Sequence, residues 1–220
     1  MHTPGRLFNP LARPVCLSSG AGSAQGGFSL VEVLVVVLIL SFGMLGIAGL
    51  QANTAKFKIN AWARAAASVQ FSDLTDRVRA NPTQAGPSFN STDAAPPASG
   101  YLLTSSWDTQ QADELEINTN CLTTTCTAAA RATYDMLSWR TSVRRKFPQG
   151  AAVVTGNRAI GITATIAWFD RQFTKTDGSL DTSAVCVAGS TGAAQANCCP
   201  EELGDPLPAG VRCTNLSFLP

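Results

Sequence analysis

Three sets of residues in this sequence could do chemistry: a carboxylate inside an apolar run, a group of cysteines, and a cluster of basic residues. The carboxylate is Glu32, in Gly26-Gly27-Phe28-Ser29-Leu30-Val31-Glu32-Val33-Leu34, at the entrance of a stretch that carries no charge from Val33 to Ala55. An ionised side chain deep in lipid costs on the order of 2.5 kcal/mol or more, and is kept where it has a partner or a function. Glu32 lies four residues after Phe28. A cut between Gly27 and Phe28 would therefore create a positive α-amino group one helical turn from the carboxylate. Gly27, with no Cβ, lets a protease approach the backbone closely.

The chain has seven cysteines and a single histidine, His2. That cut would remove Cys16 and His2, leaving Cys121, Cys126, Cys186, Cys198, Cys199 and Cys213. An even number in an exported domain points to disulfides formed in an oxidising compartment, the periplasm. Adjacent Cys198 and Cys199 would form a strained ring if joined to each other. Each is expected to bond elsewhere, with Cys186 and Cys213 as the available partners, and Cys121 pairs locally with Cys126. Which of the adjacent pair takes which partner stays open. A tetra-thiolate zinc site lacks its two Cys-x-x-Cys knuckles, and a Cys-Cys redox switch is the functional rival. Without histidine, the processed chain excludes Ser-His-Asp and Cys-His catalysis and His-containing zinc sites. No enzymatic activity, cofactor or metal is expected.

The basic cluster is Arg140, Arg144, Arg145 and Lys146. Its plain reading is a solvated helix face, and its sharper reading is a contact for DNA phosphates or an acidic partner. Net charge argues for the plain one. The 220-residue chain carries +1, and without Arg6 and Arg13 ahead of the cut it has fourteen basic against fifteen acidic residues, or −1. No nucleic-acid partner is expected. The triplets Asn90-Ser91-Thr92 and Asn215-Leu216-Ser217 match the N-glycosylation pattern, which recurs by chance, and receive no role.

The elements that must position these groups begin with the apolar run itself. Roughly 20 apolar residues span a bilayer core of about 30 Å, and the segment 28–50 meets that length. Residues 1–27 hold two arginines, no acid, and no apolar stretch long enough for a secretory signal core, so they read as a leader. Gly43, Gly46 and Gly49 recur every third residue, which lowers helix propensity and permits close approach by neighbouring helices. Past the span the helix turns amphipathic, with Ile59, Ala63, Ala67, Phe71, Leu74 and Val78 at helical spacing. Pro82 is its first stop. A helix over 28–81 would measure about 80 Å.

Residues 82–220 form the remaining domain. Gln84 to Gly100 reads as a loop, and Tyr101-Leu102-Leu103 and Leu115-Glu116-Ile117 as short strands or anchors. Ala132, Met136, Trp139, Val143 and Phe147, spaced 4, 3, 4 and 4 apart, mark one helical face that Thr127 is placed to cap and Pro148 and Gly150 to stop. Ala151 to Val154 and Gly161 to Asp170 have strand chemistry, with Ile162, Ala164, Ile166 and Trp168 on one face. Thr176-Asp177-Gly178-Ser179 is a turn. The tail from Val185 onward, rich in Gly, Pro and Ala, needs its disulfides. The fold class is α+β: a long N-terminal helix, half membrane-spanning and half amphipathic, packed on a small antiparallel sheet with an extra helix.

Gly-Phe-Ser-Leu-x-Glu before an apolar run closely resembles the processing motif of type IV prepilins and of type II secretion pseudopilins. The resemblance implies a peptidase cut between Gly27 and Phe28, N-methylation of Phe28, and Glu32 as the carboxylate that docks a subunit in a filament. Cys121-x4-Cys126, Tyr134-Asp135, Trp139 and Phe147-Pro148-Gln149-Gly150 look like the PilV-like group of minor pilins, the type IV pilus modification proteins. That likeness implies a pilin fold and a non-enzymatic subunit of pilus assembly and initiation at or near the tip. It implies as partners prepilin peptidase, major and other minor pilins, the inner-membrane assembly machinery, a tip adhesin and membrane lipid. It places the subunit in the bacterial inner membrane with a periplasmic domain, then in the pilus. The alternatives are a type II secretion pseudopilin and an adhesin or DNA-binding pilin. Asp135 and Trp139, one turn apart, read as structural.

Overall fold

The computed structural model describes residues 27–87 and 98–220. Residues 1–26 of the expected leader, with Cys16 and His2, and the triplet at Asn90 lie outside the described residues. The chain divides into two units, Met1–Leu50 and Gln51–Pro220, and one helix, α1 (Leu30–Ala80), contributes to both.

In the first unit, α1 opens where Ser29 offers its carbonyl to the Val33 amide at 3.2 Å. Glu32 falls in the first turn, where the helix dipole favours negative charge. Among the described residues, one segment, Leu30–Gln51, is long and apolar enough to cross a membrane, and none of it is buried.

In the second unit, α1 buries Ala63, Ala67, Phe71, Leu74 and Val78, five of the six positions in the sequence stripe. Ile59, the sixth, stays 45% exposed because the core begins one turn later. The helix ends at Ala80, before Asn81 and Pro82, and the Asn81 Nδ2 amide donates to the Ala128 carbonyl at 2.8 Å. Two short helices, α2 (Trp107–Ala112) and α3 (Ala128–Lys146), follow. Thr127 caps α3, its hydroxyl accepting from the Ala130 amide at 3.2 Å, as its position in the sequence predicts.

The sheet has three antiparallel strands in the order β1 (Ala151–Asn157), β2 (Gly161–Phe169) and β3 (Val211–Phe218). One face packs on α1 and α3: Ala152, Val154, Ile162, Ala164, Ile166 and Trp168 meet Phe71, Leu74, Met136, Trp139 and Val143. Burying each larger side chain of this set contributes roughly 1.5–3 kcal/mol. The other face holds Ala151, Val153, Ala167, Val211 and Cys213 against Trp107, Cys199, Leu203 and Leu207. The α+β expectation is met. Of the strand-or-anchor alternatives, Leu115 to Ile117 forms no strand and Leu103 makes a single bridge to Val154. The sequence reading differs from the structure in the tail. The C-terminal tail contains α4 (Gly192–Asn197) and the third strand of the sheet.

Candidate functional site

The N-terminal residues with chemical potential sit where reagents can reach them. Gly27, Phe28 and Ser29 precede α1 without regular structure and are exposed, Phe28 to 82%. A protease needs an unshielded backbone outside regular structure, and this segment offers one. Glu32 is likewise exposed, on the first turn of α1. Gly43, Gly46 and Gly49 have no non-neighbouring atom within 4 Å of where a Cβ would stand, so the room they leave is open to another helix.

In the second unit, the acid beside Trp139 holds three segments together. Asp135 on α3 is buried, and its Oδ1 accepts from Arg77 Nη1 of α1 at 3.2 Å. Arg77 Nε also reaches Asp73 Oδ1 at 3.0 Å. The Tyr101 hydroxyl lies 3.1 Å from Asp135 Oδ2 and 3.2 Å from the Arg77 carbonyl, sharing its one proton between two acceptors. Burial pushes the Tyr101 phenol up to about 12, so it remains a donor at neutral pH. One turn on, the Trp139 indole donates to the Gln70 carbonyl of α1 at 2.9 Å. Asp135 and Trp139 are therefore structural, as their spacing suggests. The sequence gives no sign of Arg77 as the partner, because the two residues are 58 positions apart.

The basic cluster does not present a common face. Arg140 Nη2 pairs with Asp113 Oδ2 at 2.7 Å, and Arg144 Nη1 donates to the Asp113 carbonyl at 2.6 Å. Arg145 and Lys146 remain exposed. Arg140 and Arg144 thus anchor the segment after α2, in neither the solvated face nor the phosphate contact read from the sequence, and of the four only Arg145 and Lys146 keep a solvated position.

Disulfides join Cys121 to Cys126, Cys186 to Cys198, and Cys199 to Cys213. The local pair and the separation of the adjacent cysteines follow the sequence reading, and the structure settles the choice between Cys186 and Cys213. The predicted turn is present: the Asp177 carboxylate accepts from the Ser179 amide and hydroxyl, which lowers its pKa.

Residues 22–48 match the prokaryotic N-terminal methylation motif. The stretch includes Gly27, Phe28 and Glu32 and most of the apolar segment. No curated protein and no solved structure matches the chain. The motif, the membrane-capable helix and the disulfide-linked α+β unit together support a type IV pilin-like or pseudopilin-type protein.

Proposed function

We propose that this chain is a minor pilin of the PilV-like kind. Prepilin peptidase cuts between Gly27 and Phe28 and N-methylates Phe28. The subunit waits in the bacterial inner membrane with its disulfide-linked domain in the periplasm, then enters a type IV pilus at or near the tip and helps initiate assembly. Its partners are the major and other minor pilins, the inner-membrane assembly machinery and a tip adhesin, and it works by contact rather than catalysis. The observation that carries this reading is the methylation motif laid over the start of a helix whose Leu30–Gln51 segment is apolar and uncovered. Such a surface requires lipid or neighbouring helices. Three disulfides add support, since they belong to an oxidising compartment.

Glu32 is the residue through which the subunit assembles. Its carboxylate lies four positions from the amine that processing creates, and a neighbour's amine offsets the cost of holding it in lipid. Mass spectrometry of the mature N-terminus of Glu32→Ala is expected to show normal cleavage, and electron microscopy to show few or no pili. Unchanged piliation and incorporation would overturn this role. Pseudopilins carry the same kind of motif, so a deletion strain separates the two systems. Loss of pili with intact protein secretion supports the pilus, and the reverse supports the pseudopilus.

A further inference from the structure

The two edges of the sheet are finished differently. On β1 the outward backbone groups of Ala152 and Val154 are paired. Val154 exchanges both hydrogen bonds with Leu103, at 2.9 and 2.8 Å. The Gln110 carboxamide acts as a strand for Ala152, accepting from its amide at 3.0 Å and donating to its carbonyl at 2.7 Å.

On β3 the ladder parity identifies the outward groups. The Asp170 amide donates to the Gly210 carbonyl, and in the same register Arg212, Thr214, Leu216 and Phe218 lie opposite Trp168, Ile166, Ala164 and Ile162. Those even positions bond to β2, so the backbone groups of the odd positions face away. Val211 agrees, since its amide and carbonyl are taken by Pro208 and the Ser183 hydroxyl. Further along, the outward amides and carbonyls of Asn215 and Ser217 have no partner among the described residues. Leu216 is 43% exposed beside them. From Cys213 to Phe218 the strand has none of the charges or prolines that usually protect an edge.

We propose that the Asn215 to Phe218 edge of β3 receives an extended, uncharged segment of another protein as a fourth strand. Only an extended backbone supplies donors and acceptors at the spacing that Asn215 and Ser217 present. The occupant is not a second copy of β3. A groove of about 580 Å³ adjoins this edge, with Val153, Thr163, Val187, Gln195, Asn215 and Ser217 among its walls. A copy of β3 would turn only Asn215 and Ser217 towards that face, and these are too short to enter it. The segment that fits sets apolar side chains over Leu216 and Phe218, and turns the alternate, uncharged set towards the groove, whose walls mix Val153 and Val187 with Thr163 and Gln195. This inference does not rest on the pilus reading.

The test places a photo-reactive benzoylphenylalanine at Leu219 or at Val187 of the full chain in the cells that make it. Cross-linked peptides are mapped, and the mapped segment is synthesised as a probe for the purified full chain in detergent. Without the probe, the Asn215 and Ser217 amides should exchange hydrogen freely while those of Ala152 and Val154 are protected. With it, exchange at Asn215 and Ser217 should slow about tenfold or more. Ser217→Pro removes an outward donor without touching a backbone bond to β2, although it also removes the hydroxyl contact to Thr163. Ser217→Ala, which loses that contact and keeps the amide, is the control: the proline should abolish the slowing at Asn215 and the alanine should not. Four outcomes would overturn the proposal: slow exchange at Asn215 and Ser217 before the probe is added, no slowing with it, cross-links only to β3 of another copy, or no cross-link from either position.

Discussion

The two halves of α1 show what a chain can complete alone and what it leaves to its surroundings. From Ala63 to Val78 the buried side chains are small or apolar except for Gln70, and Trp139, Asp135 and Tyr101 fasten carbonyls and side chains of the helix. From Leu30 to Gln51 the helix is richer in Leu, Val and Ile, yet none of them is buried. Hydrophobicity therefore does not decide which half belongs to the core. The period does: a stripe along one face finds a sheet and a second helix, whereas a helix apolar all round calls for lipid or for other helices. If so, damage between Ala63 and Val78 should unfold the globular unit, and damage between Leu30 and Gln51 should leave it intact.

The largest loss is expected at Trp139→Ala. The side chain is fully buried against Phe71 and Leu74 and its indole holds the Gln70 carbonyl. Denaturant unfolding of the full chain in detergent, followed by circular dichroism, should show a loss of about 3–5 kcal/mol. A loss under about 1 kcal/mol would mean that α3 does not hold this half of α1.

Asp135→Asn comes next, at about 1.5–3 kcal/mol. It keeps the shape but removes the charge that Arg77 Nη1 and the Tyr101 hydroxyl both address. Arg77 is partly exposed, with 25% of its side chain accessible, and water takes up some of the deficit. Arg77→Met combined with Asp135→Asn should then cost less than the two single losses added together. Strict additivity would show that the pair is not coupled.

Tyr101 gives an effect with a pH signature. Burial holds its folded pKa at about 12, above the ordinary phenol value of 10.0. Below pH 10 both states hold the proton and the contribution is intact. As pH rises from 10 to 12 the unfolded chain loses the proton first, so stability falls, by roughly 3 kcal/mol at most. Tyr101→Phe should lack this decline while being less stable at neutral pH. Parallel curves for the two proteins between pH 10 and 12 would remove Tyr101 from the contacts that fix the end of α1.

What the sequence revealed and what it hid divide along the same line. Local period was enough for α3, for the β1–β2 hairpin, and for the stripe on α1, because each depends on spacing within one segment. The methylation motif was legible because its chemistry is contiguous, from Gly27 to Glu32. Partners far apart in the chain were not legible. Arg77 meets Asp135 across 58 positions, and Arg140 and Arg144 are turned inward by Asp113, 27 and 31 positions away. β3 was hidden for another reason. Val211 and Cys213 are covered by disulfide-linked loops, while Thr214 and Leu216 alternate with Asn215 and Ser217 and are only partly covered. Its apolar signal is therefore diluted on both faces, and the neighbouring glycines and prolines read as a loop.

The smallest expected effect is the most discriminating for the comparison. Leu38, at the middle of the apolar half, is half exposed, and Leu38→Ala should change unfolding of the globular unit by less than about 0.5 kcal/mol. The same truncation at Leu74, whose side chain is fully buried, should cost about 2–5 kcal/mol. The two leucines lie on one helix and lose the same atoms, so helix propensity and unfolded-chain terms largely cancel. What remains is burial. A Leu38→Ala loss approaching that of Leu74→Ala would show that the chain covers its own apolar half, and would remove the reason for assigning that surface to lipid and to neighbouring helices.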